Sequence, residues 1–183
     1  GKIAPFIDRV VYARERESIP YWNKFLQGYY DRSSVDSDQF DQAVKISFEG
    51  EATLSEDMER RGIQLRTAVG TGTYYMSFNY LDPVVGGSHP NARKLRHAIS
   101  IALDWEEFIT IFQNGRGLPG MGPIPPGIFG HLEGEAGINP VVYDWVDGKP
   151  QRKPIEAAKA LLAEAGYPAG RDAKTGVPLR KLS

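Results

Sequence analysis

The sequence predicts a mixed α/β fold in which helices and strands alternate along the chain. Apolar residues recur with helical spacing in residues 91–103, and charged residues occupy the opposite face. Residues 63–69 and 73–79 are rich in β-branched and aromatic residues, and a Gly-Thr-Gly turn between them favours a hairpin. The length of 183 residues allows one domain or two small ones.

The N-terminal third is predicted to contain one strand followed by three helices. Apolar and β-branched residues indicate a strand over residues 6–12. A helix is expected to begin at Ser18 and to end at Gly28, which suits a C-cap position. Two short helices should follow, over residues 37–44 and 55–62, each preceded or opened by a residue able to cap it.

Residues 91–112 are predicted to form two consecutive helices that are separated at Asp104. The inner face of the first helix consists of apolar residues at helical spacing, namely Leu95, Ala98, Ile99, Ala102 and Leu103. Asp104 stands three residues before Glu107, which is the arrangement of a capping box. We expect the second helix to start at Trp105 and to bury its apolar residues, namely Phe108, Ile109, Ile111 and Phe112.

The remaining third is predicted to be a long loop and a final helix. Gly and Pro interrupt residues 115–140 so often that we expect no regular structure there. A last helix should start at Pro154 and end at Gly166. Residues 177–179 have the composition of a strand that is just beginning.

Composition excludes several functional classes. The 22 basic and 23 acidic residues nearly cancel, which argues against nucleic acid as a partner. No apolar run approaches the roughly 20 residues that cross a bilayer, so we expect no direct membrane insertion. The chain has no cysteine, and therefore neither a disulfide nor a thiolate site.

Catalytic and cofactor patterns are equally scarce. The three histidines lack the spacing of a helical metal site, so the sequence predicts no metal site. No Gly-x-Ser-x-Gly pattern occurs, and the glycines of residues 115–120 follow a helix instead of a strand, unlike a dinucleotide site. We therefore predict no cofactor, no catalytic residue and no enzymatic activity.

Four segments resemble the bacterial extracellular solute-binding proteins of family 5, which include peptide and nickel binders. The clearest is Arg-His-Ala-Ile-Ser-Ile-Ala-Leu-Asp at residues 96–104, which is similar to a signature helix of that family. Residues 5–12, 74–79 and 156–168 agree with the family in order and spacing. A Pro-Pro element within residues 122–127 is also similar to one that follows this helix in family members.

The resemblance implies a portion of a two-lobe fold, the periplasmic-binding-protein type II fold. Residues 1–80 would then belong to the first lobe and residues 81–183 to the second, with a binding cleft between the lobes. It further implies a periplasmic component of an ABC importer that captures peptides or related small solutes and delivers them to a membrane permease. Because such proteins are longer and exported, we expect the chain to be a central-to-C-terminal fragment without its signal peptide.

Three residues are predicted to contact the solute. Tyr75 and Asn79 share one face of the predicted strand at the lobe boundary, opposite Tyr74, Met76 and Phe78, which we expect to face the core. Asn79 could instead serve a turn. Trp105 lies on the first turn of its helix, where it either contacts the solute or packs. A hydrolase-type enzyme and a non-catalytic interaction module are the alternative functions.

Overall fold

The computed structural model describes residues 6–46 and 52–179. Contacts between residues divide the chain into two compact units, Gly1–Thr67 and Ala68–Ser183. The two units are not evidence for or against two lobes, so the lobe boundary near Tyr80 stays a prediction. Among the described residues, no helix combines the length and the apolar content that crossing a membrane requires.

The first unit is a small helical cluster with one two-stranded sheet. Its elements are α1 (Ser18–Leu26), α2 (Ser37–Ala43), β1 (Val44–Ile46), β2 (Ala52–Leu54) and α3 (Glu56–Arg60). β1 and β2 pair antiparallel, with Val44 opposite Leu54. The core of this unit consists of side chains from all three helices and the sheet, namely Trp22, Phe40, Ala43, Val44 and Met58.

The second unit consists of three helices, a hairpin and irregular segments. Its elements are α4 (Pro90–Ala102), α5 (Trp105–Phe112), β3 (Tyr143–Val146), β4 (Lys149–Arg152) and α6 (Ile155–Glu164), with short 3₁₀ turns at Gly134–Gly137 and Pro168–Gly170. α4 packs against α6, and Leu95 of α4 lies with Ala165 and Val85 in a buried cluster. An ion pair of 2.8 Å between Lys94 and Glu164 joins the same two helices at their surface.

The predicted helices are confirmed. α4 ends at Ala102 and α5 begins at Trp105, so the break falls at Asp104, whose carboxylate accepts from the Glu107 N–H at 2.9 Å. α1, α2, α3 and α6 also lie within the predicted ranges. Ser55 precedes α3 as expected, although its hydroxyl makes no capping hydrogen bond.

Three predicted strands are wrong. Residues 6–12, 63–69 and 73–79 are not strands, because none of them pairs with another described segment. A strand requires a ladder of hydrogen bonds, and β-branched composition alone does not provide the partner. Of the residues expected to face the core, only Phe78 packs there, whereas Tyr74 is fully exposed (100%).

The structure adds a hairpin that the sequence reasoning missed. β3 and β4 pair antiparallel across the two residues Asp147 and Gly148, which have φ angles of +50° and +77°. Two central residues with positive φ define a type I′ turn, for which Asp-Gly is a preferred sequence. The Asp-Gly dipeptide was therefore the sequence feature that could have predicted this hairpin. Residues 177–179, by contrast, contribute only an isolated bridge between Arg171 and Pro178.

The expected burial of α5 is also wrong. No residue of this helix is buried, and Phe112 is 61% exposed. Helical periodicity identifies which face of a helix is apolar, but a second element must cover that face before it becomes core. Within the described residues, that cover is missing from most of α5.

Candidate functional site

The three predicted contact residues lie in the second unit, at different places in its fold. Tyr75 is 81% exposed in a segment without regular secondary structure, and Asn79 stands at the end of that segment. Trp105 opens α5 and is 37% exposed. Among the described residues, no hydrogen bond or ring contact joins any two of the three.

The segment before Asn79 makes no backbone pairing with the other residues that the structure describes. Between residues 64 and 78, the described part of the chain forms no backbone–backbone hydrogen bond. Backbone N–H and C=O groups require partners, and water or a bound molecule could supply them for this segment. An extended ligand with amide groups could satisfy such a segment as an added strand does.

Asn79 also begins a compact turn. Its side-chain oxygen accepts from the Leu81 N–H at 3.0 Å, which is the Asx-turn alternative considered from the sequence. Asp82 continues the turn, because its carboxylate accepts from the N–H groups of Val84 at 2.7 Å and Val85 at 2.9 Å. The Asn79 amide nitrogen is still a potential donor to a ligand.

Arg96 of α4 is hydrogen-bonded to the backbone of this turn. Its Nη1 donates to the backbone oxygens of Val85 at 2.5 Å and Gly87 at 3.0 Å. The guanidinium carbon lies 5.3 Å from the centre of the Tyr80 ring, within the range of a cation–π contact. The Tyr80 hydroxyl in turn lies 2.9 Å from the Ser88 hydroxyl.

An aromatic row runs along the exposed face of α5. The Trp105 ring meets Phe108 edge-on at 5.5 Å, and Phe108 lies 5.0 Å from Phe112. These centroid distances fall within the favourable range for aromatic pairs. The row therefore presents an ordered apolar surface at which an aromatic or aliphatic group could pack.

The hairpin β3–β4 holds the start of α5 through Arg152 and Tyr143. Arg152 donates to the backbone oxygens of Ile101, at 2.7 Å, and Leu103, near the end of α4. Its other terminal nitrogen faces Asp104 at 2.5 Å and Glu106 at 3.4 Å. Trp105 thus lies between two acidic residues that share one arginine.

Two pKa shifts follow from this arrangement. The hydrogen bond from the Glu107 N–H, followed by the charge of Arg152, lowers the pKa of Asp104. Burial, followed by the hydrogen bond to Glu106, raises the pKa of Tyr143 well above its usual value. Asp104 is therefore ionised and Tyr143 protonated at neutral pH, which maintains the ion pair and the hydrogen bond.

A surface cleft of about 300 Å³ lies beside the start of α4. Its lining includes His89, Asn91 and Asp172. The Asp172 carboxylate already accepts from the N–H groups of Lys174 at 2.9 Å and Thr175 at 2.8 Å, and these bonds lower its pKa. His89 accepts from the Asn91 N–H at 3.2 Å. The polar groups of this cleft thus serve the local turns.

The described residues include no group of three or more potential ligands that could hold a metal ion. His97 has a lowered pKa because it is partly buried and because the positive charges of Arg93 and Arg96 lie nearby. The site is suited to binding through backbone amides and aromatic rings.

A family model matches almost the entire chain. Residues 5–182 match the model described as bacterial extracellular solute-binding proteins, family 5 Middle. The matched range includes the predicted contact residues Tyr75, Asn79 and Trp105. No curated protein and no solved structure matches the chain.

Proposed function

Because the chain belongs to the bacterial extracellular solute-binding proteins of family 5, we propose that it forms part of the solute-binding component of an ABC importer. In this proposal, the protein captures peptides or related small solutes in the periplasm and delivers them to a membrane permease. The family match over residues 5–182 is the observation that carries the proposal. The matching family model covers the middle part of these proteins, which supports an interior position for these residues in a longer protein.

Peptides are favoured as the solute class by the backbone of residues 64–78, which forms no backbone–backbone hydrogen bond with any described residue. A peptide carries amide donors and acceptors at regular spacing, and a strand-like ligand can pair with such a segment whatever its side chains. Tyr75 and Asn79 would add contacts at the end of the segment. Trp105 would receive an apolar group of the solute on the aromatic row of α5.

Closure of two lobes would complete the site. Residues 1–80 would lie in the first lobe and residues 81–183 in the second, with the solute enclosed between the two lobes. Affinity would then arise from enclosure and backbone hydrogen bonds. The 183 residues alone are accordingly expected to bind the solute weakly, because fewer contacts must offset the same entropic cost of association.

Equilibrium dialysis provides the test of peptide binding. The full-length protein is dialysed against an equimolar mixture of tri- to pentapeptides, and the retained peptides are quantified by mass spectrometry. We expect micromolar or tighter retention of a subset by the full-length protein and little retention by the 183 residues. Tight binding by the 183 residues alone would contradict the lobe assignment, and retention of no peptide would contradict the proposed solute class.

The proposal also predicts that the solute is released unchanged. The family is generally non-enzymatic, and a transport receptor must deliver its solute intact. Mass spectrometry of the dialysed peptides after prolonged incubation checks this prediction. A cleaved peptide that disappears when a single site residue is substituted would favour the hydrolase-type enzyme instead.

A further inference from the structure

The turn over residues 79–88 is packed so closely that it has no room for a side chain at residue 86. The Gly86 N–H donates to the Asp82 oxygen and the Gly87 N–H to the Tyr80 oxygen, each at 2.9 Å. A Cβ atom at Gly86 would lie only 2.4 Å from both of these oxygens. The turn therefore has one close-packed conformation.

Arg96 is the side chain that ties this turn to α4. It donates to two carbonyl oxygens, those of Val85 and Gly87, which lie two residues apart in the turn. A planar guanidinium group can bind both while its face rests on the Tyr80 ring. Leu95, the neighbour of Arg96 on α4, is fully buried, so the helix itself is a rigid support.

The position of the turn determines where the preceding segment ends. Residues 64–78 lack backbone hydrogen bonds within the described chain, so no sheet among the described residues holds this segment. Its described anchors at the C-terminal end are the packing of Phe78 against the core and the turn that follows. Displacement of the turn would therefore move Asn79 and, four residues earlier, Tyr75.

We propose that Arg96 is a positioning residue for the solute site, fixing the turn over residues 79–88 and thereby the placement of Tyr75 and Asn79. This inference rests on the proposed function, in which both of those residues contact the solute. Arg96 itself points to the backbone of the turn and does not need to touch the solute. Pre-organised contact residues improve affinity because less ordering remains to be done on binding.

The test compares Arg96→Met and Arg96→Lys with the control Arg93→Met in the full-length protein. Arg93 is an exposed arginine on the same helix, three residues away. Hydrogen–deuterium exchange measures the amides of residues 84–87, and dialysis against the peptide mixture measures affinity at a temperature where every variant is folded. In Arg96→Met, we expect about tenfold faster exchange in the turn and about tenfold weaker peptide retention.

Arg96→Lys should recover part of both losses, because it keeps the charge and the stem without the planar group. It also serves as the test if Arg96→Met does not fold. Arg93→Met should resemble the wild type. Faster exchange in Arg96→Met with unchanged peptide affinity would show a purely structural role and overturn the inference. Unchanged exchange of residues 84–87 in that variant would overturn it as well. If the wild type retains no peptide, the proposed function itself fails, which is a distinct result.

Discussion

Removing the guanidinium group of Arg152 should destabilise the protein more than any ordinary surface substitution. In Arg152→Met, the oxygens of Ile101 and Leu103 lose a charged donor in a site where Arg152 is only 20% exposed. Two such hydrogen bonds contribute about 1.5 kcal/mol each. The ion pairs with Asp104 and Glu106 add about 0.5 kcal/mol each, because these acids are 46% and 40% exposed.

The expected loss in the free energy of unfolding is therefore about 4 kcal/mol, the sum of these contributions. Guanidinium denaturation monitored by circular dichroism measures it. Lys149→Met is the matched control, since Lys149 is exposed on the same strand and should cost less than about 0.5 kcal/mol. A loss below about 1 kcal/mol in Arg152→Met would refute the claim that this arginine stabilises the start of α5.

Three further substitutions test other parts of the structure. Gly86→Ala should cost about 3 kcal/mol by overpacking, measured by denaturation, whereas Gly120→Ala should be neutral because nothing lies within 4 Å of its added Cβ. The pKa of Asp104 is lowered in the folded state, so its carboxylate stabilises the fold fully above the pKa it has in the unfolded chain, and this contribution is lost as the pH falls through the folded-state pKa. The destabilisation caused by Asp104→Asn should accordingly become smaller in acid. The pKa of Tyr143 is raised in the folded state, so the wild type should lose stability as the pH rises above about 10, where the unfolded chain begins to release this proton. Thermal melts over a series of pH values should show a smaller loss for Tyr143→Phe.

What the sequence could predict here depends on how local each interaction is. The break at Asp104 was predictable because a capping box involves residues three apart. The hairpin at Asp147 and Gly148 was equally local, but its strands have only four residues each and offer little periodicity. Residues 63–79 failed as strands because a strand depends on a partner that composition does not specify.

The contacts of the candidate site are less accessible to sequence reasoning. Arg152 binds carbonyl groups 49 and 51 residues earlier in the chain, and nothing in its neighbourhood signals that role. Arg96 begins the segment that resembles the family, and the helical pattern places it among the charged residues of the outer face. Neither observation predicts that its guanidinium group is turned to a loop 9 to 11 residues earlier. An amphipathic pattern assigns a face to a side chain, but it does not say what lies opposite that face.

The two arginines stabilise the candidate site in the same physical manner. Each arginine donates to two backbone carbonyl oxygens. Arg96 does so in the turn after Asn79, and Arg152 does so at the end of α4 beside Trp105. Of the proposed contact residues, Asn79 and Trp105 thus stand next to backbone that is held by a cation. Backbone held in this way loses little conformational entropy when a ligand binds. In the proposed function, selectivity among peptides would reside in the exposed Tyr75 and the aromatic row of α5. The backbone of residues 64–78 would then supply affinity that is largely independent of side-chain identity.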